Sequence, residues 1–97
     1  MIKHIVIFKW CEDVTDADVS AVLDDLRALP DAIDALEDYL AAPDLGLSEG
    51  NGDFAIVATL ADAEALKSYV DHPQHVEVVT RLRAMADSRI AVQVSAD

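Results

Sequence analysis

The amino-acid sequence predicts an α+β domain of β-α-β-β-α-β order with a four-stranded antiparallel sheet. Three observations carry this. Four short segments place apolar residues at alternate positions, other stretches repeat them at helical spacing, and proline- or glycine-bearing breaks separate the two kinds. Helices in that order cover one face of the sheet only, yet three of the four predicted strands carry aliphatic side chains on both faces.

The first strand runs from Ile2 to Trp10, with Ile2, His4, Val6, Phe8 and Trp10 on one face and Lys3, Ile5, Ile7 and Lys9 on the other. After a loop through Cys11 and Val14, Thr15 followed by Asp18 resembles a capping box. Val19, Val22, Leu23, Leu26 and Leu29 then recur at helical spacing, and Pro30 is expected to stop this helix. Asp31 to Leu36 reads as a turn. The second strand is expected over Glu37 to Ala42, ended by Pro43, and the glycine-bearing stretch from Asp44 to Asp53 reads as an exposed loop.

Phe54 to Leu60 is the third strand. Phe54, Ile56, Ala58 and Leu60 face one way, and Ala55, Val57 and Thr59 the other. Asp62 can cap a short helix carrying Ala65, Leu66, Tyr69 and Val70, and Pro73 marks a break with proline in the first turn of a new helix. That helix carries Val76, Val79, Leu82, Met85 and Ala86, with Arg81 and Arg83 near its end, where cations suit the helix dipole. Ile90, Val92 and Val94 alternate in the last strand.

At 97 residues the chain reads as one domain over 1–97, without repeats, linkers or low-complexity segments. Hydrophobic residues make up 53% and aromatics only 5%, so the core is aliphatic. Nineteen acidic residues against seven basic ones give a net charge of −12, which repels phosphate backbones and anionic membranes and argues against nucleic acid as a partner. The strongest apolar run, Ile5 to Phe8, is far too short to cross a bilayer, so no membrane partner is expected. The N-terminus lacks the pattern of a secretory signal, and a cytoplasmic protein is expected. Cys11 is the only cysteine; beside Glu12 and Asp13 it is expected to stay protonated and inert.

The uncovered sheet face needs a partner. Burying on the order of several hundred Å2 of apolar surface at roughly 25 cal/mol per Å2 is too much stabilisation for so small a domain to forgo. A second copy around a two-fold axis is the simplest solution, so a homodimer joined through the sheet faces is expected.

Three stretches carry a family resemblance: Ile2-Lys3-His4-Ile5-Val6-Ile7-Phe8-Lys9, Asp53-Phe54-Ala55-Ile56-Val57, and Tyr69-Val70-Asp71-His72-Pro73-Gln74-His75-Val76. With their spacing the chain resembles the stress-responsive A/B barrel family of dimeric α+β barrel proteins over nearly its whole length. The Tyr-x-x-His-Pro-x-His-Val string is the most specific of the three. The resemblance implies a ferredoxin-like protomer whose open sheet face packs on its twin's. Most members look like proteins of unassigned function and some like stress-induced structural proteins. One branch, the plant olivetolic acid cyclase, closes a polyketide chain by aldol condensation. Its catalytic tyrosine and histidine map onto Tyr69 and His75, and a pocket histidine on its first strand maps onto His4. Its third-strand histidine is replaced here by Ala55.

Such a closure needs a base near neutral pKa and a donor for the oxygen that becomes negative. By resemblance His75 is the candidate base and Tyr69 the candidate donor. Read from the residues alone, His75 could equally bond a backbone carbonyl at the helix junction while Tyr69 packs, and His4 could equally be a satisfied core histidine. The expected site is a small, largely apolar cavity with His4, Tyr69 and His75 at its polar end and Val6, Phe8, Leu26, Val70 and Val79 as walls. A small apolar or polyketide-like molecule would fill it. Two functional classes stay open: a cofactor-free cyclase or lyase (with a cofactor-free monooxygenase as a variant), and a non-catalytic stress, structural or ligand-binding protein. His72 and His75 are three apart, but two ligands do not make a metal site, and His72 before Pro73 reads as a capping residue. No phosphate-cradling loop, nucleophile elbow or dinucleotide fingerprint is present, so no cofactor is implied.

Overall fold

The computed structural model describes residues 1–97. The elements are β1 (Ile2–Trp10), α1 (Asp16–Ala32), β2 (Asp38–Pro43), β3 (Phe54–Leu60), α2 (Ala63–Val70), α3 (Pro73–Met85) and β4 (Ala86–Ser95). The four strands form one antiparallel sheet in the order β2-β3-β1-β4, with the helices on one side. This is the ferredoxin-like arrangement, its second helical segment broken into α2 and α3 at Pro73. No helix is long and apolar enough to cross a membrane.

Local chemistry starts each helix. Thr15 accepts from the Asp18 backbone N–H while the Asp18 carboxylate accepts from that of Thr15, a complete capping box at α1. Asp62 caps α2 by accepting from Ala65 N–H at 2.9 Å. His72 caps α3, its Nδ1 accepting from Gln74 N–H at 3.2 Å, and Pro73 occupies the first turn, where its missing N–H costs nothing.

Pro30 does not end α1. The helix continues to Ala32, and Ile33 still donates to the Leu29 carbonyl at 2.9 Å. The stripe Val22, Leu26, Leu29, Ile33 explains the continuation, since all four side chains are buried in the core. Packing at Leu29 and Ile33 offsets the cost of about 3 kcal/mol that an interior proline carries. β2 starts one residue later than expected and takes in Pro43, which pairs opposite Phe54 on an edge strand, where a proline is tolerated. In α3 the residues turned to the core are Val78 and Leu82; Val76 is half exposed and Ala86 already begins β4.

Strand register assigns the two faces. On the helix side Ala41, Ile56, Val6 and Ala91 form one row across the sheet, with Tyr39, Ala58, His4 and Gln93 beside it. On the open side Leu40, Val57, Ile5 and Val92 form a row, and Ala42, Ala55, Ile7 and Ile90 the next. Leu40 is 60% exposed, Ile90 70% and Val92 53%, although all three are aliphatic.

Candidate functional site

The break between α2 and α3 builds the polar end of a cavity. Tyr69 lies in the last turn of α2 and His75 in the first turn of α3, and the junction brings their rings to 4.3 Å between centroids. His75 Nδ1 bonds the Val70 carbonyl at 2.9 Å. As a carbonyl only accepts, Nδ1 carries the proton and Nε2 is left with a free lone pair. The same bond satisfies one of the carbonyls that a helix C-terminus leaves unpaired. Burial holds the His75 pKa below its ordinary value; the Val70 bond opposes this, while His72 and Arg83 add to it. The ring is therefore neutral at pH 7.

His4 comes from β1, opposite Gln93 of β4. The Gln93 amide donates to His4 Nδ1 at 3.1 Å, so the His4 proton sits on Nε2. The two imidazoles are thus held in opposite tautomers, one presenting a lone pair and the other an N–H. Burial, then the charge of Arg89, and then His75 whenever it is itself protonated, keep the His4 pKa below normal as well. The His4 and Tyr69 rings meet edge to face with centroids 6.4 Å apart.

Tyr69 is 1% exposed, and burial pushes its hydroxyl pKa up to about 12, partly offset by the neighbouring Tyr39 hydroxyl. It stays a donor at neutral pH. Tyr39 Oη is buried and makes no hydrogen bond; burial first, and then the neighbouring Tyr69, raise its pKa.

A cavity of about 440 Å3 lies between α2–α3 and the β1–β4 half of the sheet, and Tyr39 stays outside its lining. His4, Tyr69 and His75 all border it, as do Val6, Phe8, Val70 and Val79. Leu26 does not. It is fully buried in the core, because α1 packs over β2 and against α3 and turns its apolar stripe away from the cavity. No three His, Cys, Asp or Glu side chains converge into a metal-holding group.

Comparison with known proteins follows the same lines. Residues 2–96 match the family model of the Stress responsive A/B Barrel Domain, Dabb. The chain belongs to the Dabb family. An uncharacterized protein of Streptomyces coelicolor is 36% identical to it over 93 residues, covering 94% of this chain and 96% of the relative. A dimeric ferredoxin-like protein of unknown function from Thermobifida fusca is 40% identical and superposes with a TM-score of 0.93, over 98% of this chain and 90% of that one. The hydroxynitrile lyase of Passiflora edulis shares the fold, with a TM-score of 0.87 at 12% identity over 99% of this chain and 93% of the lyase.

Four residues that shape the cavity of this Dabb chain escape a reading of its sequence: Tyr39 behind Tyr69, Gln93 beside His4, and Arg83 and Arg89 at the rim. The position of Arg83 fits a helix-end cation, but its side chain also borders the cavity. Arg89, Ala91 and Gln93 alternate with Ile90 and Val92, so the parity of β4 carries a signal. What it lacks is which parity the helices cover.

Proposed function

We propose that this Dabb chain is a homodimer joined through the open sheet face, each protomer holding a small carbonyl compound in its cavity and moving protons on it without metal or organic cofactor. The observation that carries the chemistry is the pairing of tautomers: His75 offers a free Nε2, while His4 and Tyr69 offer an N–H and an O–H. His75 Nε2 would take a proton from the carbon next to a carbonyl, and Tyr69 Oη would donate to the oxygen that becomes an enolate. The enolate carbon would then attack a second carbonyl of the same molecule. One carbon–carbon bond forms, and the new alkoxide recovers the proton from the His75 imidazolium. Nothing is oxidised, reduced or released.

The dimer rests on the aliphatic rows of the open face and on the dimeric Thermobifida fusca relative. A non-catalytic ligand carrier is the rival reading. The hydrogen bonds that tie both imidazoles to the protein suit it as well, since they also satisfy buried polar groups.

The test compares cyclisation of linear poly-β-keto thioesters, with enough keto groups to close a six-membered ring, by the parent, His75→Ala and Tyr69→Phe, alongside melting temperature. A general base accounts for roughly 10²–10⁴-fold in rate, so His75→Ala should lose that much at nearly unchanged folded fraction, and Tyr69→Phe should lose less. Turnover that merely follows the amount of folded protein would assign these residues to stability and favour the carrier.

A further inference from the structure

Basic side chains are scarce here, seven against nineteen acidic ones, and most are engaged. Lys67 pairs with Asp71 at 2.6 Å, Arg81 pairs with Asp25, Lys3 donates to Thr59 and Arg27 to the Ala41 carbonyl. Arg83 and Arg89 enter none of the three ion pairs, and both border the cavity. Asp71 is the only carboxylate on that border, and Lys67 already neutralises it. On a protein of net charge −12, the cavity rim therefore carries an excess of positive charge.

The backbone positions of the two arginines are displaced from those of the histidines by a defined amount. His75, Val79 and Arg83 follow one another four residues apart on α3, so Arg83 lies two steps, about 12 Å, along the axis from His75. Across the cavity, register sets His4 opposite Gln93 and Phe8 opposite Arg89. Those pairs are four residues apart, about 13 Å along the strand. Helix and strand thus set the same separation independently. Val6, Phe8, Val79 and Leu82 supply apolar wall between the two ends.

We infer that the cavity selects an acyl compound whose far end lies at the level of Arg83 and Arg89, about 12–13 Å along the backbone from His75 and His4, and carries a carboxylate held by those two arginines. The inference rests on the reading of the cavity as a ligand site and adds the class of ligand. Guanidinium groups match carboxylates in planar, two-point contact, which an ammonium cannot do. A single exposed pair contributes little. Both arginines are exposed at the cavity border, so the gain comes from two guanidiniums acting together beside an apolar wall rather than from either alone, and their level along the cavity sets the length of the chain that fits.

Calorimetric titration of the full-length protein with decanoate, decanol and hexanoate tests this. Decanoate should bind at least tenfold more tightly than decanol, and hexanoate, too short to reach both ends, should lose most of that advantage. In the R83Q/R89Q double variant the preference for decanoate over decanol should fall to within twofold. R81Q, which removes the same charge away from the cavity, should keep the preference. Equal affinity for decanoate and decanol in the parent, or a preference surviving in R83Q/R89Q, would overturn the carboxylate subsite while leaving an apolar ligand cavity. Absence of binding by all three probes would overturn both.

Discussion

The two faces of β4 show opposite chemistry. Facing the helices are Arg89, Ala91 and Gln93; facing away are Ile90, Val92 and Val94. In a strand that packs one side on a core, the order is normally the reverse, with apolar residues toward the helices. β1 next to it behaves conventionally on its helix side, where Val6 and Phe8 are buried. The contrast teaches that β4 leaves the helix-side core at its polar residues, because a cavity lies there, and offers its aliphatic side to something outside the protomer. One strand thus serves the candidate site with one face and the candidate dimer interface with the other.

The largest expected effect comes from placing a charge on the aliphatic side. Val92 stands in the row Leu40, Val57, Ile5, Val92, the middle of the open face. In a dimer built on that face, Val92→Asp buries an unpaired carboxylate in each copy, at roughly 3–5 kcal/mol apiece. Sedimentation velocity at low micromolar concentration should give a dimer for the parent and a monomer for the variant. The cavity on the other face should still bind its probe. A monomeric parent, or a Val92→Asp protein that stays dimeric, breaks the comparison at its interface side.

Much of this division was legible in the sequence, and the failures have physical causes. Alternation assigned the faces of β1 and β3 correctly, since a period of two leaves no freedom once a strand is recognised. The caps at Thr15, Asp62 and His72 were readable because each places an acceptor beside free N–H groups within three residues. Pro30 signals a local break, but the helix is held past it by Ile33, the residue that completes the buried stripe. Leu26 misled because a helical stripe tells that a residue is buried and not against which half of the sheet. The Tyr69–His75 contact had a local signal, the break at Pro73. The His4–Gln93 and Tyr39–Tyr69 pairings join residues far apart in the chain, and register alone brings them together.

A smaller effect separates the faces by pH. The titratable side chains of lowered basicity, His4 and His75, both lie on the helix side, with Arg83, Arg89, His72 and the Lys67-paired Asp71 around them. Both folded pKa values fall below 6.5, so between those values and 6.5 the unfolded chain binds more protons. Stability is full above about pH 6.5 and falls as the pH drops below it, by at most about 1.4 kcal/mol per pH unit for each histidine. Asp18 and Asp97, held below 3.8, act only in a lower window. Thermal melts should show a lower Tm at pH 5.5 than at 7.5, with the difference shrinking in a His4→Gln/His75→Gln variant. Association through the open face, which carries no histidine, should persist at both pH values. A Tm unchanged between them would mean that neither ring is held neutral by burial.

The smallest effect sits one residue from Val92 and faces the other way. Gln93 donates an amide hydrogen to His4 Nδ1, and this bond keeps the His4 proton on Nε2. Gln93→Glu keeps the shape and reverses the role. A carboxylate only accepts, so it draws the proton to Nδ1 and turns His4 Nε2 from a donor into an acceptor toward the cavity. It also stabilises the imidazolium, which moves the His4 pKa upward against the burial that lowers it. Because Gln93 itself is exposed, stability at pH 7 should stay within about 1 kcal/mol of the parent. The dimer should be untouched, in contrast to Val92→Asp. Ring ¹⁵N shifts of His4 across a pH titration read both changes, the exchange of protonated nitrogen and the rise in pKa. A His4 that titrates identically in parent and variant would show that Gln93 does not set its tautomer, and the pairing of opposite imidazoles at the cavity would then lose its structural basis.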